Sequence, residues 1–287
     1  MRTTTGDSGD TGRLGGADPD GERSRGAPAP GPRWPTPDTA RLRELALGSP
    51  VVSPAGGGAA PGAAEVAAVE RVTGELPPSF RFWLTEFGGG RIGGAETAVV
   101  APAGWEDEHD AVTAPWRREE RPGLLAFAEE PDGDRYWFDV AARRADGECP
   151  VLRDAGDGRG PVPFAATFAG FPTVAVALAT GQRDGPNPAV AELWRQGPGV
   201  VLPCGVQAYG PDVLPERNAT YEVARWAPEW VLVGDDSGGT GLFMRRHGPD
   251  RTSVHLLGLG AVEPDVAAAG ERVTGDLGAW LAAGAPR

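Results

Sequence analysis

Two short acidic segments carry the residue types best suited to chemistry. Asp235-Asp236-Ser237-Gly238-Gly239 and Asp132-Gly133-Asp134 both place carboxylates beside glycine. Hard cations bind where several carboxylates share one shell, and backbone turns can hold phosphate. The adjacent aspartates Asp235-Asp236 lack the alternating spacing of a calcium loop, and no G-x-G-x-x-G or Walker pattern follows a predicted strand. The sequence therefore favours tight hairpin turns whose glycines adopt positive φ.

The histidines and cysteines do not complete a catalytic pattern. His109, His247 and His255 are not four residues apart, and none has the Cys or Ser context of a nucleophile pair. Cys149 and Cys204 lie far apart without C-x-x-C spacing, which argues against a zinc site or a disulfide framework. We therefore predict a protein that is not an enzyme and has no cofactor and no metal. Catalysis by a carboxylate cluster that holds a metal ion remains an alternative hypothesis, after the two binding functions given at the end of this subsection.

A different kind of candidate site combines acidic with aromatic residues. Exposed aromatic side chains within an acidic segment can anchor a protein interface, although a charge run is also typical of a solvated face. The same question arises for Trp226 and Trp230, for which we favour core packing. The candidate partner-binding residues are Trp105, Glu106, Asp107, Glu108, Asp110, Trp116, Asp235 and Asp236.

The charge balance limits the classes of partner. The chain has 287 residues and a formal charge of −13. Nucleic acids and anionic membranes both need a basic footprint, so we predict neither as a partner. Acidity suits a basic protein partner, because complementary charge steers association, but it also serves simply to keep a protein soluble. With no apolar run long enough for a membrane span and no signal-peptide pattern, we predict a cytoplasmic protein.

One helix anchors the predicted fold. In residues 77–87, Phe80, Trp83, Leu84 and Phe87 recur at helical spacing and form one large apolar stripe. Prolines open this segment and glycines close it. Further helices are predicted at 39–47, 63–73, 167–179, 189–196 and 274–283, and strands at 96–102, 124–128, 135–140, 149–153, 206–209, 230–234, 241–245 and 252–257. Residues 1–36 are predicted to be disordered, with flexible links at 48–62 and 181–188.

The helix segment resembles a known family signature. Leu76-Pro77, then Phe80, Trp83-Leu84 and a glycine stop at Gly88 resemble the opening of the SUKH superfamily. This superfamily contains Smi/Knr-type cell-wall regulators and immunity proteins of bacterial toxin systems. Phe80 stands where the family usually has Tyr, and Gly88 where it usually has Asn. The family's later motifs follow in order as Gly133-Asp134, Tyr136-Trp137-Phe138-Asp139, Pro150-Val151 and Thr167-Phe168.

The second half of the chain repeats the order of predicted elements of the first half. A repeat of roughly 100 residues suggests duplication of one domain. Residues 216–222, Ala227-Pro228 and residues 234–239 also resemble SUKH relatives. A clear Leu-Pro helix is missing ahead of them, so we expect the second unit to be degenerate at its N-terminal end.

These patterns together predict an α+β protein of two tandem SUKH-like domains, each an antiparallel sheet packed with helices, behind a disordered N-terminal arm. The predicted divisions are 1–36, 37–183 and 184–287. The resemblance implies a non-catalytic immunity protein that covers a toxin domain, for which a basic nuclease is a suitable target. The alternative is a regulatory scaffold of the Smi/Knr type that binds endogenous proteins.

Overall fold

The computed structural model describes residues 34–55, 60–100 and 121–286, which fall within one compact unit that contains two antiparallel sheets and their helices. The predicted α+β class is confirmed. Most of the predicted N-terminal arm, residues 1–33, lies outside the described residues. Trp34, near the end of that arm, lies half-buried against the core of the second sheet, so the arm prediction is wrong there.

The first sheet is a meander in which each strand pairs antiparallel with the next in the chain. The predicted hairpin is confirmed: β4 and β5 pair around a turn at 130–134, and the register shifts so that Phe127 forms a bulge. Strands β1, β2 and β7 were not predicted. The strands are β1 (Val52–Pro54), β2 (Gly90–Ile92), β3 (Ala95–Thr97), β4 (Leu124–Glu129), β5 (Arg135–Asp139), β6 (Val151–Asp154) and β7 (Val162–Ala165).

The second sheet is also a meander, with strand order β8 to β13. Its predicted hairpin is confirmed between β10 and β11, and here Val233 occupies the bulge. Strands β8 and β13 were not predicted. The strands are β8 (Gly199–Val201), β9 (Gln207–Tyr209), β10 (Trp230–Asp235), β11 (Thr240–Arg245), β12 (Val254–Gly258) and β13 (Glu271–Thr274).

Every helix predicted from the sequence is present, with ends shifted by up to three residues. Three short helices, α6, α7 and α8, were not predicted. The helices are α1 (Thr39–Gly48), α2 (Ala63–Thr73), α3 (Pro78–Phe87), α4 (Gly170–Ala179), α5 (Pro188–Gln196), α6 (Leu214–Thr220), α7 (Val223–Trp226), α8 (Val266–Ala269) and α9 (Leu277–Ala282). Within the described residues, no helix is long and apolar enough to cross a membrane.

The apolar stripe of α3 forms the centre of the first core, as predicted. Phe80 contacts Phe138 of β5 and Phe168, with ring centroids 5.1 and 5.0 Å apart. Such tilted aromatic pairs add to the free energy of burial. Gly88 ends the helix with a φ of 77°, the left-handed conformation that glycine adopts without strain.

The prediction of a flexible link at 48–62 is wrong in part. The link predicted at 48–62 contains β1, which pairs with β2 and so belongs to the sheet. Leu47 of α1 and Val72 of α2 are exposed apolar residues. Both lie in the last turn of their helix, where the apolar face has already rotated away from the core.

The two halves of the chain pack directly on one another through α4 and α5. The backbone of Gly170 lies so close to Arg195 that a side-chain carbon at Gly170 would overlap the Arg195 carbonyl oxygen. The Thr167 hydroxyl donates to the Gln196 carbonyl at 2.7 Å, and Arg144 donates to the Gln196 side chain at 2.6 Å. These contacts cross the predicted domain boundary at 183/184. The boundary itself stays a prediction.

Candidate functional site

Most of the predicted partner-binding residues lie in the segment that the structure does not describe. Trp105, Glu106, Asp107, Glu108, Asp110 and Trp116 all fall within residues 101–120. Their role as a binding surface stays a prediction. Asp235 and Asp236 are described, and they lie at the turn of the β10–β11 hairpin.

The described part of this candidate set forms a hydrogen-bonded turn, as the simpler interpretation predicted. Asp235 is buried, and its carboxylate accepts hydrogen bonds from the Tyr209 hydroxyl, from Gln207 at 2.7 Å and from the Ser237 backbone at 2.8 Å. Asp236 is half-buried and accepts from the backbone of Gly238 and Thr240, each at 2.8 Å. Burial and the bond to Asp235 raise the pKa of Tyr209 above its usual range. The Asp235 carboxylate therefore fixes the sheet end.

The β4–β5 turn has a related arrangement. Glu130, Asp132 and Asp134 have carboxylate oxygens within 4.8 Å of one another, the one such group among the described residues. Asp134 is ion-paired with Arg153, and Glu130 accepts from the Tyr136 hydroxyl at 2.6 Å. The carboxylates of Asp134 and Glu130 are thus engaged by the protein itself, which supports the predicted turn.

Two further ionisable groups are explained by packing. Glu148 is buried and accepts from both the backbone and the hydroxyl of Ser79, each at 2.8 Å, so it caps the start of α3. Burial raises its pKa. Burial also raises the pKa of the Cys149 thiol to about 11, which leaves it protonated and unreactive at neutral pH.

His255 belongs to the core of the second sheet. It is buried with its ring edge-on to Trp230 at 5.2 Å, and burial lowers its pKa. This agrees with the absence of a catalytic pattern around His255 in the sequence. Trp230 is only 1% exposed, so its predicted core packing is confirmed.

Trp226 does not share the core, and here the sequence prediction is wrong. Its side chain is 44% exposed, at the end of α7. The Arg225 guanidinium lies over its ring at 4.5 Å, and the indole N–H donates to Glu222 at 3.2 Å. Glu222 also accepts from Arg225 at 3.1 Å. We call Glu222, Arg225 and Trp226 together the Trp226 surface.

The path of the backbone explains why Trp226 faces outward. Glu222 has a φ of 46°, an uncommon left-handed conformation that breaks the chain between α6 and α7. Val223 and Ala227 are buried and hold this turn on the core, whereas Trp226 contacts Glu222 and Arg225 at the surface. The indole and then Arg225 lower the pKa of Glu222, so this carboxylate stays charged. The result is a large aromatic side chain held in one position by two charged neighbours.

No protein-family model matches this chain, and no curated protein matches it. The resemblance to the SUKH superfamily therefore stays a prediction.

Proposed function

We propose that this protein is a non-catalytic protein-binding module, an immunity protein that neutralises a toxin domain by covering it. The observation that carries the proposal is the Trp226 surface. Tryptophan is enriched among residues that dominate binding energy at interfaces. Trp226 is already held by Glu222 and Arg225, so little side-chain freedom is lost when a partner covers it.

We further propose that the two halves are tandem SUKH-like units, which is supported by their repeated order of elements. Helix α3, strands β2 to β7 and helix α4 follow the same order as α5, β8 to β13 and α9. In each half a tryptophan of the opening helix donates to the end of the second strand. Trp83 donates to the Thr97 hydroxyl at 3.2 Å, and Trp194 to the Tyr209 carbonyl at 3.0 Å. In this proposal, helix α5 takes the place of the Leu-Pro opening helix that is missing from the sequence of the second unit.

The same comparison of the two halves supports a shared position for the binding residues. In chain order, α6 and α7 with Trp226 come between the second and third strands of their meander. Trp105 and Trp116 fall at the same place in the order of the first half, between β3 and β4. The aromatic residues proposed as anchors thus lie in corresponding insertions.

The charge of the chain favours a basic target. With a formal charge of −13, the protein is complementary to a nuclease domain whose cleft attracts phosphate. If the acidic segment steers this encounter, replacing Glu106, Asp107 and Glu108 by alanine slows association and weakens its salt dependence. An unchanged association rate would contradict the role of that segment.

The alternative is a regulatory scaffold of the Smi/Knr type, which would use the same surface to bind endogenous proteins. The two are separated by co-expressing the protein with the product of the neighbouring open reading frame, scored by survival and co-purification. Rescue and a stable complex support immunity. An inert neighbour that forms no complex favours the scaffold, and a pull-down from the native host then follows.

The matched variants for that experiment are Trp226→Ala and Leu178→Ala. Leu178 on α4 is 49% exposed, so its truncation also removes surface apolar area, but in the other half of the chain. We expect loss of the complex with Trp226→Ala and retention with Leu178→Ala. Equal binding by both variants would exclude the Trp226 surface from the interface.

A further inference from the structure

A cavity of about 350 Å³ lies at the start of α5, beside the loop that joins β11 to β12. Arginine side chains from separate parts of the chain line it, namely Arg195 of α5, Arg246 just after β11 and Arg251 in the loop, together with His247. Asp184 is the acidic residue of the described lining. A concentration of positive charge of this kind is unexpected in a chain with 40 acidic and 27 basic residues.

The positive charge of the cavity is poorly balanced by the protein. Among the described residues, neither Arg246 nor Arg251 has a carboxylate partner within 4.0 Å. Arg195 lies 3.8 Å from Asp184 and 3.6 Å from Glu192, beyond ordinary hydrogen-bond distance. Arg195 is thus ion-paired with two carboxylates, whereas the charges of Arg246 and Arg251 are not compensated by a carboxylate of the described residues, and an anion placed beside them gains electrostatic energy.

Arg246 shows the cost of this arrangement most clearly. Its side chain is half-buried, and its Nε donates to the Trp230 carbonyl at 2.9 Å. Burial lowers its pKa, and no neighbouring carboxylate compensates. Burying a cation without a partner is unfavourable. A bound anion would restore the missing partner.

The geometry favours a phosphate group over a carboxylate. Guanidinium groups form paired hydrogen bonds with both anions, but a phosphate group presents three oxygens and more charge. Three arginines from a helix, a strand end and a loop suit an anion that is contacted from several sides. Asn187 already caps α5 by accepting from the Val190 backbone at 3.0 Å, so the arginines rather than the helix end would hold the ligand.

The size and walls of the cavity indicate more than an inorganic ion. Its volume of about 350 Å³ falls within the range of small-molecule sites. Pro186, Pro188 and Ala191 give part of its lining an apolar character suited to an organic group. We propose that this cavity binds a small phosphomonoester, with Arg195, Arg246 and Arg251 around the phosphate group and the prolines and alanine against its organic part. This site is independent of the proposed protein-binding surface.

The test is a calorimetric titration of the full chain with phenyl phosphate. Arg251→Gln removes an exposed cation of the cavity, and Arg159→Gln is the matched control, because Arg159 is exposed in the β6–β7 loop. We expect saturable binding by the native chain and the control, and affinity weakened about tenfold in Arg251→Gln, as for loss of a charged hydrogen bond. Arg195→Gln is expected to act in the same direction.

Two further probes test the chemistry of the ligand. Benzoate keeps the ring but carries a carboxylate, and inorganic phosphate lacks the ring, so both are expected to bind more weakly than phenyl phosphate. Equal affinity for benzoate would overturn the preference for phosphate, and equal affinity for inorganic phosphate would overturn the organic subsite. The site itself is rejected if folded native protein gives no saturable binding, or if Arg251→Gln binds phenyl phosphate as well as Arg159→Gln does.

Discussion

The side chain of Asn218 pairs with the backbone of Leu232 as a neighbouring strand would. Its oxygen accepts from the Leu232 N–H at 3.0 Å, and its nitrogen donates to the Leu232 carbonyl at 2.8 Å. β9 pairs with β10 only at Gly234 and Asp235. Beyond the end of β9, the Asn218 side chain provides the hydrogen-bond partners of β10 at Leu232. This contact fixes α6 on the sheet and leads the chain into α7, where Trp226 stands at the surface.

Replacing Asn218 by alanine should destabilise the protein through this contact. The Leu232 backbone would lose partners for both its donor and its acceptor, and we expect the free energy of unfolding to fall by about 2–3 kcal/mol. Chemical denaturation measures this difference. Thr220→Ala is the control in the same helix, because Thr220 is exposed and bonds only to the exposed Glu216, and it should change stability by less than about 0.5 kcal/mol. Similar values for both variants would contradict this role.

Gly170→Ala should damage the junction between the two halves. A Cβ atom at this position would overlap the Arg195 carbonyl oxygen and come within 3.2 Å of the Arg195 Cα. Since backbone cannot yield as a flexible side chain does, we expect a loss of about 3 kcal/mol or failure to fold. Thermal unfolding of this variant is compared with Gly48→Ala, where no atom lies within 4 Å of the added carbon. If Gly170→Ala melts like Gly48→Ala, the α4–α5 packing described here is wrong.

Local patterns predicted some elements well and could not predict others. The stripe of Phe80, Trp83, Leu84 and Phe87 is visible because the helical period is contained in one short segment. Strand β1 escapes such analysis because it is three residues long, ends in Pro54 and exists only by pairing with β2, which is distant in the chain. Short strands depend on their neighbours more than on their own residues.

The candidate sites depended even more on tertiary structure. Trp226 and Trp230 are four residues apart and look alike in the sequence, yet Trp226 ends the short helix α7 at the surface and Trp230 begins the buried strand β10. Arg195 lies more than fifty positions before Arg246 and Arg251, so no motif joins the three arginines of the cavity. The one local signal was the pair Arg245-Arg246 before His247, a basic run in an acidic chain.

The stability of the protein should depend on pH through Glu148. Burial raises its folded-state pKa above the unfolded value of about 4.5, so its stabilising contribution is fully present below that pH and is lost as pH rises through the folded pKa. Glu148→Gln mimics the neutral acid and does not titrate. We therefore expect the stability of Glu148→Gln relative to the native protein to increase as pH rises from below 4.5 toward neutrality. Urea denaturation at several pH values measures this difference, and a difference that is constant with pH would contradict it.

Glu148→Ala tests the capping contact separately from the charge. It leaves the buried Ser79 N–H without its acceptor at the start of α3, where Pro77 provides no side-chain cap. We expect a loss of about 1–3 kcal/mol at acidic pH, where Glu148 is protonated in both the folded and the unfolded protein. Glu75→Ala is the control, because Glu75 is exposed and lies just before Ser79 in the sequence. A variant as stable as this control would show that Ser79 does not need Glu148.

Truncation of the two tryptophans near α7 should change the stability of the protein by very different amounts. Trp230→Ala removes a buried side chain packed against His255 and Arg245, and should reduce the free energy of unfolding by about 3–5 kcal/mol. Trp226→Ala removes an exposed ring with only its two charged neighbours, and should change stability by less than about 1 kcal/mol. Denaturation curves of the two variants give the comparison. If Trp226→Ala stays folded as expected, a loss of partner binding in this variant can be assigned to the Trp226 surface. A large loss of stability would instead show that Trp226 supports the fold, and it would remove the main support for the proposed interface.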